Sequence, residues 1–335
     1  MGDILNLDYG NIKEEEKILH KKFKSITEGL DWNTFPMRLL ELSQKFRWSA
    51  YEIDFSKDRE DWNKNMKPSD RMQTKLISSL FLAGEECVAR DIIPLIYAME
   101  EMGLIEEALY LTHFAQEEAN HTVGFRRWFE SVGETQGIYE FTLKNEPYRK
   151  LFYEIIPTNM KKLYSDPSPE NVIRAVTSYM FIVEGILAET GYYAYSKSYE
   201  QILPVMPGLY KMIKLIARDE SRHISFGAYV TALMISMYGE SLFEEFNKYF
   251  ESLVQEIAFP LINEIRKILL SNSWREEDKG PLFNYLILSD EGFKDIMDFA
   301  MNMFQRRYSV IHRAVKMKPE HVRRLHLREM NIVEE

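Results

Sequence analysis

The chain has 335 residues, 45% hydrophobic and 28% charged, with a formal net charge of −10. That length and balance suit a globular protein of one large domain or two ordinary ones, and the acidity is a poor basis for binding nucleic acid or anionic membrane. A single cysteine, Cys87, excludes an intrachain disulfide and fits a reducing cytoplasm.

The first residues, "MGDILNLDYGNIKEEEK", are polar and acidic, so no secretory leader is expected. No uncharged apolar run reaches about 18 residues, so no transmembrane span is expected either. Glycine is scarce and alternating strand-like runs are hard to find, so nearly the whole chain reads as helix. After a helix near 36–48, the punctuation "KPSD" (67–70) opens a helix of about 30 residues, capped by Ser69 or Asp70 and kinked or ended by Pro94. A second long helix covers "LIEEALYLTHFAQEEANHTVGFRRWFESV". A third starts near Pro169, after "SDPSPE", and runs to about Ser198; a fourth follows Pro207 and Gly208 and runs to about Gly239. Further helices are predicted near 145–163, 240–271 and 288–315. No Gly- or Ser-rich linker divides the chain. One all-α domain over 1–335 is expected, ending in a basic tail from about 306 that reads as solvated or paired intramolecularly.

Long, broadly hydrophobic helices are central helices of a bundle. Each of the four long helices carries an out-of-place acid. Glu184 is the sharpest case, since Ala175 to Ala188 holds no other charge. A lone buried carboxylate costs several kcal/mol or takes up a proton. Glu184 is therefore paired, a metal ligand, or not on a regular helix.

The second helix has "QEEANH", with Glu118 and His121 three apart, on one face. The fourth has "RDESRH", with Glu220 and His223 at the same offset. The first contributes Glu85 and the third Glu184. Two Glu-x-x-His pairs and two single glutamates on four helices are the pattern of ferritin-like dimetal carboxylate bundles. Glu85 to Glu184 is 99 residues and Glu118 to Glu220 is 102, as in a duplicated helix hairpin. Four carboxylates and two imidazoles suit iron and manganese, and their charge offsets two divalent ions. Glu86 and Glu117 fall outside this set and read as surface or outer-sphere acids. His113 reads as an ordinary core or surface histidine, and His20, His312, His321 and His326 are assigned nothing.

"RDESRH" resembles the second metal motif of the radical-bearing small subunit of ribonucleotide reductase. Trp48 lies 37 residues before Glu85, as a radical-path tryptophan does in that family, with Asp219 as its implied hydrogen-bond partner. The resemblance covers roughly residues 36–310. Two features depart from it. Phe125 stands four after His121, where the reductase usually has a tyrosine. Tyr308 is the last tyrosine, so the tail lacks the one that passes the radical onward.

A sister family is more similar: the ligand-binding oxidases, with a mixed manganese/iron site and a bound fatty acid. Their hallmark ether crosslink joins positions that are Val88 and Tyr179 here. Val88 follows Glu85 by three. Tyr179 precedes Glu184 by five, about 140° away on an ideal helix, so the contact requires a distorted helix such as a π-bulge.

The resemblance implies manganese held by Glu85, Glu118 and His121, iron held by Glu184, Glu220 and His223, and Glu118 as a bridge. It implies O₂ activation, a two-electron oxidation that joins Val88 to Tyr179, and a homodimer. Phe81, Met180 and Phe181 would line a tunnel for a fatty acid or similar apolar acid whose carboxylate reaches the metals. Alternatives are a reductase small subunit, an acyl desaturase, and a non-enzymatic ferritin-like metal store.

Overall fold

The computed structural model describes residues 23–327, and among them there is no strand. The architecture is carried by α1 (Phe35–Lys45), α2 (Pro68–Asp91), α3 (Ile105–Val132), α4 (Pro169–Ile202), α5 (Pro207–Tyr238), α6 (Glu240–Leu253), α7 (Phe259–Leu270), α8 (Asp290–Ala314) and α9 (Pro319–Arg323). The pairs α2–α3 and α4–α5 pack against each other as the central four-helix bundle. Helix α1 crosses α3 and α5, α8 lies on α4 and α5, and α6 backs α4. One apolar cluster runs from Phe35 to Leu327 and draws on every one of these helices, and a second gathers Trp62, Phe125, Trp128 and Leu209.

Local chemistry sets the helix ends. Helix α2 starts at Pro68, whose preset φ and missing N–H suit the first helical position. Ser69 and Asp70 are therefore not its caps, contrary to the sequence expectation. Their side chains instead accept from Gly280 N (2.9 Å) and Phe283 N (3.1 Å), pinning residues 280–283 to α2. Burial pushes the Asp70 carboxyl up to about 6. The helix breaks at Ile92 before a further helix, Ile93–Glu101, with Pro94 in its first turn. Helix α3 ends at Gly133, which adopts φ 82°. Asp58 caps α5 by accepting from Gly208 N and Leu209 N, both at 2.7 Å.

Helix α4 passes the length and hydropathy test for a membrane span, but 83% of its apolar window is buried inside the protein. It is a core helix of the bundle. Its middle, Thr177–Ala188, is π-helical, with hydrogen bonds from i to i+5. Other π segments occur at Lys150–Ile155 and Val254–Ala258, inside predicted plain helices, and at Lys197–Ile202 and Asn284–Leu288, mostly beyond the predicted ones. The π segment of α4 sets the register at the centre of the molecule.

Candidate metal centre

Each bundle helix delivers the acid that its sequence made conspicuous. Glu85 comes from α2, Glu118 and His121 from α3, Glu184 from α4, and Glu220 and His223 from α5. All six are at most 5% exposed. They form two overlapping groups: Glu85, Glu118, His121 and Glu220, then Glu118, Glu184, Glu220 and His223. Within each group the ligand atoms lie within 4.8 Å of one another. His121 Nδ1 is 3.3 Å from Glu85, 3.6 Å from Glu118 and 3.4 Å from Glu220. His223 Nδ1 is 2.9 Å from Glu118 and 3.5 Å from Glu220. Glu220 thus reaches both groups, as Glu118 does, whereas the sequence reading placed it in one.

The π segment resolves the problem of Glu184. In an i→i+5 register, Tyr179 and Glu184 share one row of the helix. An α-helix would have set them about 140° apart. Tyr179 is fully buried, and burial together with the four carboxylates pushes its phenol well above the usual range. Val88, 3% exposed, sits one turn after Glu85 in the same apolar cluster as Tyr179.

The electrostatics are those of closely packed, buried carboxylates and imidazoles. Burial, reinforced by neighbouring carboxylates, holds Glu85 and Glu184 well above the usual carboxylate range. Burial also acts to raise Glu118, but the close approach of both histidines outweighs it and brings the group down to about 2. Burial opposes charge on His121 and His223, yet the surrounding carboxylates raise both. Both oxygens of Glu118, both of Glu184, one of Glu220 and His223 Nδ1 are buried with no hydrogen-bond partner. So many orphaned acceptors at one point are exceptional in a folded protein. Two divalent cations would satisfy them, and the oxygen and nitrogen donors suit iron and manganese.

Outside this ring the partners cross over. Asp219, which precedes Glu220, takes His121 Nε2 at 3.2 Å and Trp48 Nε1 at 2.6 Å. Glu117, which precedes Glu118, takes His223 Nε2 at 2.8 Å. Each carboxylate therefore orients the histidine of the other motif, fixing its inward nitrogen as Nδ1. The buried Arg222 joins them, donating to Glu117 and to Asp219 at 2.7 Å each. His113 continues outward from Glu117 at 3.5 Å. Sequence reasoning placed Glu117 only loosely and did not single out Arg222. The signal for Glu117 was its position, since it precedes its motif glutamate as Asp219 does. Glu86 is exposed.

A cavity of about 150 Å³ adjoins the cluster. Glu85, Glu118, Glu184 and Glu220 line its inner end, and Ile77, Leu80, Phe81 and Val88 continue it along one stripe of α2. Phe81 takes its place because Gly191 of α4 has no side chain; a Cβ there would meet the ring at 2.5 Å. Met180 and Phe181 do not line the cavity, contrary to the sequence expectation. The π register turns them away, so that Met180 packs on Gly227 and Phe181 on Phe246 and Phe250.

The family model described as "Ribonucleotide reductase, small chain" matches residues 37–266. A structure of an R2-like ligand-binding oxidase from Sulfolobus acidocaldarius is 39% identical over 90% of this chain and 99% of that one, with TM-score 0.76. Another R2-like ligand-binding oxidase, with an aerobically reconstituted Mn/Fe cofactor, is 31% identical over 87% of this chain and 97% of that one, with TM-score 0.78. The chain belongs to the ribonucleotide reductase small-chain family, among its R2-like ligand-binding oxidases. It is a dimetal-carboxylate oxidoreductase on an all-α ferritin-like bundle. In this R2-like oxidase Phe125 is buried and stacked on Phe81 at 5.6 Å, so the space four residues after His121 holds no phenol. Tyr308 is half-buried and packs against Phe243 and Phe304.

Proposed function

We propose that this chain is a manganese/iron oxidase that binds a long-chain fatty acid and uses O₂ to join Val88 to Tyr179. The observation that carries the proposal is the cavity, walled mainly by apolar side chains and lined at its inner end by four carboxylates. A radical-exporting subunit has no need of such a chamber, and Phe125 also argues against export.

Glu85, Glu118 and His121 would hold manganese, and Glu184, Glu220 and His223 iron, with Glu118 and Glu220 placed to bridge. The metals supply the oxidation of organic bonds by O₂, which the side chains cannot perform. The protein's own part is positional. Asp219 and Glu117 hold the imidazoles in one tautomer. The apolar walls exclude water, which limits side reactions. Tyr179 is kept protonated until it reacts, and the π register sets it in the row of Glu184. Forming the bond removes one hydrogen from the Val88 side chain and one from the Tyr179 hydroxyl, and the two electrons pass to O₂. The ligand's carboxylate would reach the metals while its chain lies along Ile77, Leu80 and Phe81. Trp48, bonded to Asp219 and stacked over His121 at 6.1 Å, would carry electrons to the site. A cytoplasmic homodimer completes the proposal.

The test starts from metal-free protein, loaded with manganese(II) and iron(II) without oxygen and then exposed to air. Mass spectrometry of the digest should find the Val88 and Tyr179 peptides joined with loss of two hydrogens. Full metal loading with the two peptides separate would overturn the crosslink and bring the reductase and desaturase readings forward.

A further inference from the structure

The outer end of the cavity is not apolar. Arg266 of α7 contributes to its lining and also to a second, surface pocket with Lys144, Glu264 and Lys267. It therefore stands where the inner cavity meets the surface. Its Nε donates to Ile287 O at 2.9 Å and one terminal nitrogen to Asp290 at 2.8 Å. Its guanidinium lies 4.5 Å over the Phe293 ring, and Ile287 and Phe293 are themselves cavity residues. The other terminal nitrogen has no protein partner among the described residues. Asp290 is 95% exposed, so its ion pair with Arg266 is weak and readily exchanged for a ligand oxygen.

Gln73 lies at the same end. It precedes Glu85 by twelve residues on α2, which places it about 18 Å along the axis from the carboxylate cluster. One turn before it, Asp70 holds Phe283 N, and the chain continues from Phe283 to the Ile287 carbonyl that Arg266 grips. Gln73 lines the cavity, is 2% exposed, and its side-chain oxygen has no hydrogen-bond partner. A buried acceptor left unpaired is costly, and a ligand that donates to it recovers that cost. The cavity thus offers an orphaned acceptor and a spare cationic donor at the end remote from the metals.

We infer that Gln73 and Arg266 form a polar terminus that selects long-chain acids bearing a hydroxyl at the far end of the chain. The inference rests on the acyl-binding reading above and adds the ligand's second recognition point. A hydroxyl has both capacities, donating to an oxygen such as that of Gln73 and accepting from a guanidinium such as that of Arg266. A plain methyl terminus satisfies neither group.

The test compares hexadecanoate with ω-hydroxyhexadecanoate on delipidated, Mn/Fe-loaded full-length protein, reading Kd by displacement of a fluorescent fatty acid. The hydroxy acid should bind about tenfold tighter. Q73L and R266M should each bring the two acids near parity while still binding hexadecanoate. D290N, a change at an exposed residue, should widen the preference by releasing Arg266. Equal affinities in the unaltered protein, or a preference that survives both Q73L and R266M, would overturn the inference while leaving acyl binding intact. Failure of both acids to bind would remove the acyl reading and this inference with it.

Discussion

At the scale of single residues, the centre is a balance of buried charges. Arg222 shows how tight that balance is. It is 1% exposed, and its donors hold Ser43, Glu117 and Asp219. R222M would leave two buried carboxylates without their cation, a loss of about 3–5 kcal/mol. Urea unfolding of the metal-free protein measures it. Metal affinity should fall about 10–100-fold as well, because the carboxylates that orient both ligand histidines lose their anchor. The protonation states predict a pH dependence. Glu85 and Glu184 have raised folded pKa values, so above about 4.3 the unfolded chain sheds these protons first. His121 and His223 are also raised, and their contribution is lost as pH climbs from about 6.5 through their folded values. Both effects lower stability as pH rises. The depressed Glu118 works the other way, but only between about 2 and the usual glutamate range. Metal-free protein should therefore melt at a higher temperature at pH 5 than at pH 8, and Mn/Fe-loaded protein should reverse that order, since metal replaces the protons. Calorimetry of the two forms at both pH values decides it.

At the scale of elements, the π segment of α4 and its close approach to α5 are decisive. Gly227 of α5 sits so near that a Cβ there would lie 2.5 Å from Met180 Cβ. G227A should cost about 1–3 kcal/mol by overpacking. It should also lower the yield of the Val88–Tyr179 bond, because Tyr179 adjoins the displaced residue. Thermal unfolding and peptide mass spectrometry read the two effects separately. This element also marks where sequence reading stops. The Glu-x-x-His pairs were legible because i, i+3 neighbours share a face in any helix. Trp48 and Asp219 were legible from spacing and resemblance, and the structure brings them within 2.6 Å. A π register leaves little local trace, since the choice between i+4 and i+5 bonding depends on what packs against the helix. Met180 and Phe181 were misplaced for that reason. Only the five-residue step from Tyr179 to Glu184 hinted at it. The start of α2 was misread through a different cause: Ser69 and Asp70 cap a segment more than two hundred residues away.

At the scale of the whole molecule, the two helix hairpins meet as a duplicated pair, and later helices close around them. Part of the basic tail is paired within the molecule, while Arg306, Arg313, Lys316 and Lys318 are exposed. Arg323 of α9 pairs with the buried Glu106 and Glu107, and Arg324 pairs with Asp31. The chain end is thereby tied to the start of α3, and its residues 328–335 lie outside the described part. The fold was legible because long hydrophobic helices with matched acids leave few alternatives to a bundle. The cavity was not, since empty space between helices has no sequence signature beyond small residues such as Gly84 and Gly191. The central claim is that six buried side chains hold one manganese and one iron. Anomalous diffraction at both absorption edges, from crystals of loaded protein, tests it most directly. The expected result is two ions flanked by Glu118 and Glu220, manganese on the Glu85 and His121 side and iron on the Glu184 and His223 side. A single ion, or none within reach of Glu184, would contradict it.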